Sequence, residues 1–591
     1  MLHSIKTKYF FYLFVYFSTV NSSLLSQDIE LTINVHDSVS VLNINNWDLW
    51  VTSEGNISGN PANAGYYKNI NAIYSSGLLF GGYVNDRADT TIRIGGSSYG
   101  VGLRPGKVLY NEIGSVAGPS SDQKAKIWRM RRDYRTADLR KDAAVLFNKL
   151  IDEITEEDLW SIYNKYEFDW QNWPVHQGAP FIDMNGDNEY DPHVDVPGRP
   201  NAKQLIWTVS NDLPDTSGKA PSYDLHGSPP IGIEQQLTVW ATDEFSLYNS
   251  YGYKNLLKDA VFCEYRIIYT GLADTPIDAT IDPMYFCQWS DPDVGYYGDD
   301  LIGVDTTLKI GYAYNGDEND EFYDKLEKPP AAVGHIILER ISTDNLPMSL
   351  SAFCDYPSPN PYADPGPLNH YYWSLKVLNS MEGFDQEPVL GNYYGLPRKP
   401  FVDPTTGKIT KFKYYGNPVL GTGWIDNNIG DRRFFFTSGP LSLAVGDTQK
   451  FVVALVGGDG GNYLENVEIL RDRAELIKEL YKNGQFDNET IQIDDPINTL
   501  YFGLYKNYPN PFNSSTVIHY DLPVDGNVEI AIYDILGKRI TTLINEFQKA
   551  GKKEIIWNGT DEFGKEVGTG IYFYHFNSNG YIGGRKMVLI K

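Results

Sequence analysis

The sequence predicts a mainly β protein: a multi-domain body of several sandwich-like units with a few helices, closed by a small terminal sandwich. Three observations carry that expectation. Val261, Cys263, Tyr265, Ile267 and Tyr269 alternate with Glu264, Arg266 and Thr270, the two-residue period of a half-buried strand. Turn pairs such as Asp525-Gly526, Leu536-Gly537, Asn558-Gly559 and Phe563-Gly564 punctuate short apolar runs. Aromatic residues make up 14% of the chain, 43 of them tyrosines, and tyrosine suits half-buried strands.

At 591 residues the chain is too long for one core, and three or four domains are expected. A hydrophobic content of 42% is ample for burial. The net charge of −26 argues against a nucleic-acid role, because phosphate affinity needs a basic surface. It suits an extracellular protein and cation binding.

Residues 1–26 read as a signal peptide. Lys6 and Lys8 precede the apolar run Tyr9 to Val20, and cleavage is expected after Ser22 or Ser26. No later run is apolar for long enough to predict a transmembrane segment.

Residues 27–175 are read as a β-rich region with a helical segment near 140–166. Gly96-Ser97-Ser98-Tyr99-Gly100 fits the G-x-S-x-G pattern of a nucleophile elbow. That chemistry needs a helix next, and Val101-Gly102-Leu103-Arg104-Pro105-Gly106 is turn chemistry, so a glycine-rich loop is expected. Leu146, Leu150, Ile151 and Ile154 recur at helical spacing. Thr155 then reads as an N-cap, with Glu156, Glu157 and Asp158 in the first turn and Leu159, Ile162, Tyr163 and Tyr166 as the apolar stripe. Arg129, Arg131, Arg132 and Arg135 are expected to pair with acids of the same protein.

Residues 176–345 are read as a β-rich region with Asp-rich loops. The first loop carries the clearest chemistry. Asp183, Asn185, Asp187, Glu189 and Asp191 put an oxygen at every second position, and Gly186 can fold the run around an ion. A hard cation such as Ca²⁺ takes six to eight oxygens, so a structural calcium is expected here. The run resembles the Asp-x-Asn-Gly-Asp loops of EF-hand-like and dockerin-like repeats. Its glycine comes early, and Val194 stands where a bidentate acid belongs, with Asp195 as the substitute. Two weaker clusters follow: Asp291, Asp293, Asp299, Asp300 and Asp305, then Asn315, Asp317, Asn319, Asp320 and Asp324. Paired carboxylates could also serve a glycosidase, but no one pair stands out. Cys263, Cys287 and Cys354 are an odd set; buried thiols are the preferred reading, with Cys263–Cys287 the pair that would form if any did.

Residues 346–484 are read as a β-rich region ending in a helix. Arg433 to Thr437 and Phe451 to Val456 are expected to pair around the turn Gly446-Asp447. Trp373, Tyr393, Tyr394, Tyr414, Tyr415 and Trp424 are expected to pack into core and turns. Val467, Leu470, Ala474, Ile477 and Tyr481 form the face of a helix from about Leu464 to Asn483, capped by Gly484. Residues 485–504 suit a linker.

Residues 505–591 carry spaced motifs. Tyr508-Pro509-Asn510-Pro511-Phe512 opens the stretch. Ile532-Tyr533-Asp534 with Gly537, Trp557-Asn558-Gly559, Asp561 with Gly564, Gly570-Ile571-Tyr572 and Lys586-Met587-Val588 follow in order. This stretch resembles the type IX secretion C-terminal sorting domain, type A. The resemblance implies an immunoglobulin-like sandwich read by the type IX export machinery, and delivery to the medium or the outer surface of a Gram-negative-type bacterium.

The body is then expected to be a calcium-stabilised structural, adhesive or binding passenger. Its partner would be a surface polysaccharide or another surface protein. The alternative is a secreted peptidase or glycosidase with structural calcium. There is no HExxH, and the nine histidines are scattered, so a non-enzymatic role is favoured.

Overall fold

The computed structural model describes residues 38–58, 64–87, 90–110, 116–119, 127–243, 256–339, 349–355, 377–385, 399–486, 503–504, 507–522, 525–578 and 581–591. The signal-peptide reading, most of the linker, and Trp373, Tyr393 and Tyr394 lie outside the described residues.

Strands account for 44% of the protein and helices for 16%, so it is mainly β. The body is built on two antiparallel sheets. The larger runs in the order Trp128–Arg131, Gln204–Asn211, Ile233–Ala241, Ala260–Tyr269, Thr448–Gly458, Ala332–Leu338, Ile310–Asn315 and Asp300–Asp305. The smaller runs Leu350–Asp355, Phe434–Ala444, Thr280–Asp291, Ser75–Asn85 and Thr91–Gly96. One core holds Val261, Tyr265, Ile267, Val453 and Leu455 of the larger sheet and Phe80, Phe286, Phe353 and Phe436 of the smaller. Phe286 stacks on Phe451 across it with ring centroids 5.9 Å apart.

Sequence neighbours are often not sheet neighbours here. Asp291 pairs with Ser75, and Ser290 pairs with Phe434. Strands from all three expected body regions therefore interleave in the same two sheets. The expected pairing around Gly446-Asp447 fails. Phe434–Ala444 belongs to the smaller sheet and Thr448–Gly458 to the larger. The turn is real, since the Asp447 N–H donates to the Ala444 carbonyl at 3.0 Å and Gly446 has φ +92°. It carries the chain across the sandwich, because each strand is already flanked on both sides within its own sheet.

The long helix is Tyr463–Lys482. Val467, Leu470, Ala474, Ile477 and Leu480 are buried against the outer face of the larger sheet. Asn462 caps it, accepting from Leu464 and Glu465 while Glu465 reaches back to the Asn462 N–H. The helix Glu156–Gln171 starts at Thr155 as expected, with the Asp158 N–H donating to the Thr155 hydroxyl at 3.2 Å. The apolar run before it does not form the expected helix. A helix spans Arg140–Phe147 and stops at Asn148, which is left-handed at φ 52°. Leu150 and Ile151 beyond it are exposed.

The last residues build two further sheets that share no strand with the body. Gly503–Leu504, Thr516–Leu522 and Gly551–Trp557 form one; Arg539–Gln548, Gly526–Asp534, Gly570–Ser578 and Tyr581–Leu589 form the other. They close on a separate core containing Ile518, Ile530, Trp557, Tyr574 and Met587.

Candidate functional site

The predicted calcium loop lies between Phe181–Ile182 and Val196–Pro197, which pair and close its neck. The Tyr190 hydroxyl donates to the Trp170 carbonyl at 2.6 Å, and the Trp170 indole donates to the Pro192 carbonyl at 3.1 Å. The loop is thus fastened to the helix Glu156–Gln171. Within it, Asp183 accepts the Gly186 and Asn188 N–H groups at 2.6 and 2.8 Å. The Asn188 N–H is the main reason its carboxyl sits below the ordinary range. Asn185 donates to Asp187 at 2.7 Å, and Asp187 accepts the Glu189 N–H at 2.8 Å. Asp191 accepts from the His193 N–H, while buried Asp195 accepts from the Met184 and Asp191 N–H groups.

These contacts pin Asp183, Asn185, Asp187, Asp191 and Asp195 to the backbone and leave lone pairs unused. They do not bring the carboxylates to one point. Among the described residues no three His, Cys, Asp or Glu side chains stand close enough together to hold a metal ion.

The two weaker clusters meet. Asp300 pairs with Asn315 across adjacent strands of the larger sheet. Asp300 accepts the Val294 N–H at 3.2 Å, and Asp320 accepts the Tyr296 N–H at 2.7 Å and the Asn315 amide at 3.4 Å. Asp291 accepts the Tyr99 hydroxyl at 2.7 Å and lies 3.4 Å from Arg433. Asp293 accepts from Asn71 at 3.3 Å. Burial pushes the Asp291 and Asp293 carboxyls up to about 7, despite the Arg433 guanidinium. Asp299 rises to about 6 through burial and the nearby Asp320. Asp300 is pushed well above the carboxylate range by burial, with Asp293, Asp299 and Asp320 adding to it. Asp305 is drawn elsewhere, to Arg471 at 2.5 Å, and Asp317 closes a turn on the Asn319 N–H. Tyr99, Asn71 and Arg433 join this region without any signal in sequence spacing, because the fold brings them there from distant parts of the chain.

Other candidates resolve structurally. Ser97 and Ser98 are buried in the loop after Thr91–Gly96, and no helix follows them. Cys263, Cys287 and Cys354 are free and buried, with Cys263 and Cys287 pushed up to about 12 by burial. Arg129 and Arg131 pair with Asp142, and Arg135 pairs with Glu167. Tyr414 packs edge-on against Trp424.

In the terminal sandwich the motif residues are the ones that close it. The Phe512 N–H donates to the Val588 carbonyl, and the Ile590 N–H donates back to Phe512. The first motif is thereby sewn to the last strand. Phe512 and Tyr572 both pack on buried Trp557, at 5.6 and 5.1 Å. Asp534 and Asp561 each bind the N–H groups two and four residues on, and Gly537 and Gly564 both turn at φ 76°. A residue with a Cβ rarely adopts that conformation.

A β-rich body followed by a self-contained sandwich assembled from these motifs is the build of an exported passenger carrying its own sorting module. Residues 506–591 match the model of the secretion system C-terminal sorting domain, so the chain ends in a type IX sorting domain. It is a type IX cargo, secreted or held at the cell surface. No helix among the described residues is long and apolar enough to cross a membrane.

No curated protein matches the chain. Among solved structures, dimeric latent PorU from Porphyromonas gingivalis is 10% identical, with 65% of this chain and 31% of that chain covered and a TM-score of 0.14. PorZ, a surface component of the type-IX secretion system of the same organism, is 12% identical, with 69% and 47% covered and a TM-score of 0.12. FlgD from P. aeruginosa is 28% identical over 13% of this chain and 59% of that one, with a TM-score of 0.11. In each case the chain spans less than two thirds of the matched protein's length.

Proposed function

We propose that the body is a calcium-braced binding or structural passenger which the sorting domain delivers to the cell exterior. The observation that carries this reading is the Asp183–Asp195 loop, with six predicted oxygen ligands on one fastened neck, in a chain that also carries a matched export module. Backbone N–H groups orient Asp183, Asp187, Asp191 and Asp195, and calcium would take the lone pairs left over, with Asn185 and Glu189 completing the set. The bound ion would stiffen an exposed loop for contact with a surface polysaccharide or another surface protein. The terminal sandwich is read as immunoglobulin-like, since its strands divide three and four between two facing sheets.

Two experiments test this. Truncation before Tyr508 should leave the protein inside the cell envelope; unchanged recovery from the medium or surface would refute the export reading. The unfolding midpoint should rise in calcium relative to chelator, and Asp183→Ala with Asp187→Ala should reduce that rise. A rise untouched by the double variant would remove the loop from the argument.

A further inference from the structure

The geometry points to a second, buried site for a hard divalent cation, Ca²⁺ or Mg²⁺, at the cross-strand pair Asp300 and Asn315 together with Asp299. Asp300 and Asn315 are both 0% exposed. Asp300 Oδ1, Asn315 Oδ1 and Asp299 Oδ1 are buried and reach no hydrogen-bond donor. Native proteins rarely leave such acceptors bare, and each one needs an explanation.

The Asn315 amide is the independent witness. Its Nδ2 faces the Asp320 carboxylate at 3.4 Å, and only the donor end can face an anion. The carbonyl end is therefore the free one. Asp320 itself is saturated, accepting from Tyr296, Phe322 and Tyr323 N–H groups besides that amide. It orients Asn315 and holds the turn rather than offering a vacant lone pair.

Charge points the same way. Among the described residues no lysine, arginine or histidine makes an ion pair with Asp299 or Asp300, and Arg433 is engaged with Asp291 and Asp431. A carboxylate buried without a counter-charge is costly: a water molecule would satisfy hydrogen bonding without neutralising it, and a proton on Asp300 would neutralise it without filling the bare Asp299 oxygen. A divalent cation does both. The three orphaned atoms are all oxygens, which selects a hard ion over zinc or copper. Because no three acids stand close together, the set has to be mixed: two carboxylates, one amide oxygen, then backbone carbonyls or water. This site and the Asp183 loop share no residue, so either can fail alone.

The test is calorimetric titration of CaCl₂ and MgCl₂ into the full chain stripped with chelator, for wild type, Asp300→Asn, Asn315→Ala, and the Asp183→Ala, Asp187→Ala double variant. Wild type should bind a cation that the double variant still binds, and Asp300→Asn and Asn315→Ala should each weaken that event at least ~tenfold. Should either single variant misfold by circular dichroism, Asp299→Asn replaces it with the same expected loss. Unchanged stoichiometry and affinity in the single variants would overturn the site, even if the loop variant loses binding. No uptake of either ion by wild type would overturn it too.

Discussion

Asp142 and Asp300 are both fully buried carboxylates on the same chain, and their surroundings are opposite. Asp142 receives Arg129 at 2.6 Å, Arg131 at 2.5 Å, the Tyr166 hydroxyl at 2.6 Å and Gln204 at 3.2 Å. Asp300 receives one backbone N–H and has other acids for neighbours. Burial alone therefore says nothing about purpose. A carboxylate with every lone pair taken by cations and donors is a structural joint. One with an empty oxygen and no cation beside it still wants a ligand.

The largest expected effect tests the first half of that contrast. Asp142→Ala takes the carboxylate away from the buried Arg129 guanidinium, leaving Arg131 only its Asp133 pair, and should lower stability by about 3–5 kcal/mol in chemical denaturation, equally with calcium or chelator. A calcium-dependent loss would break the distinction. Next, calcium at a hundred times its dissociation constant should stabilise wild type by about 2.7 kcal/mol per site, and Asp300→Asn should forfeit one such increment. Equal increments in both proteins would place Asp300 with Asp142.

Acid should separate paired from orphaned acids by a smaller margin. Burial alone would raise the Glu264 carboxyl, but Arg199 and Lys450 together hold it below its ordinary value. Its folded pKa is depressed, so its contribution is present above the unfolded pKa near 4.5 and is lost as pH falls through the folded value. Glu264→Gln should flatten the acid limb of the stability profile between those two points. A limb unchanged by the substitution would show that the Arg199 pair adds nothing. The smallest effect belongs to the exposed loop: without calcium, Asp183→Ala should barely move the midpoint, since the side chain only braces a solvent-facing turn. A large loss in chelator would make the loop a joint like Asp142.

What could be read beforehand followed local physics. The Thr155 cap, the face of the long helix, the strand from Ala260 to Tyr269 and the motifs of residues 505–591 all announce themselves within a few residues. Arg129, Arg131 and Arg135 found acids as charge balance required. The partnership of Asp300 with Asn315 was not legible, because it depends on the register of two strands, and neither cluster marks it by spacing. The crossing at Gly446 looked like a hairpin because a turn between adjacent strands uses the same local chemistry whether or not those strands pair. The run Leu146 to Ile154 had helical period but ended at Asn148, where a left-handed residue outweighed the pattern.

The three sealed cysteines carry a consequence for the journey itself. An odd number of sulfurs entering an oxidising compartment would ordinarily invite cross-linking between copies. Here each is buried, Cys263 and Cys287 on interior strands and Cys354 on an edge strand, and burial pushes all three thiols up, away from the thiolate that is the nucleophile in disulfide exchange. Once folded, the molecule should be slow to exchange disulfides with the thiols around it, whichever side of the outer membrane it is on.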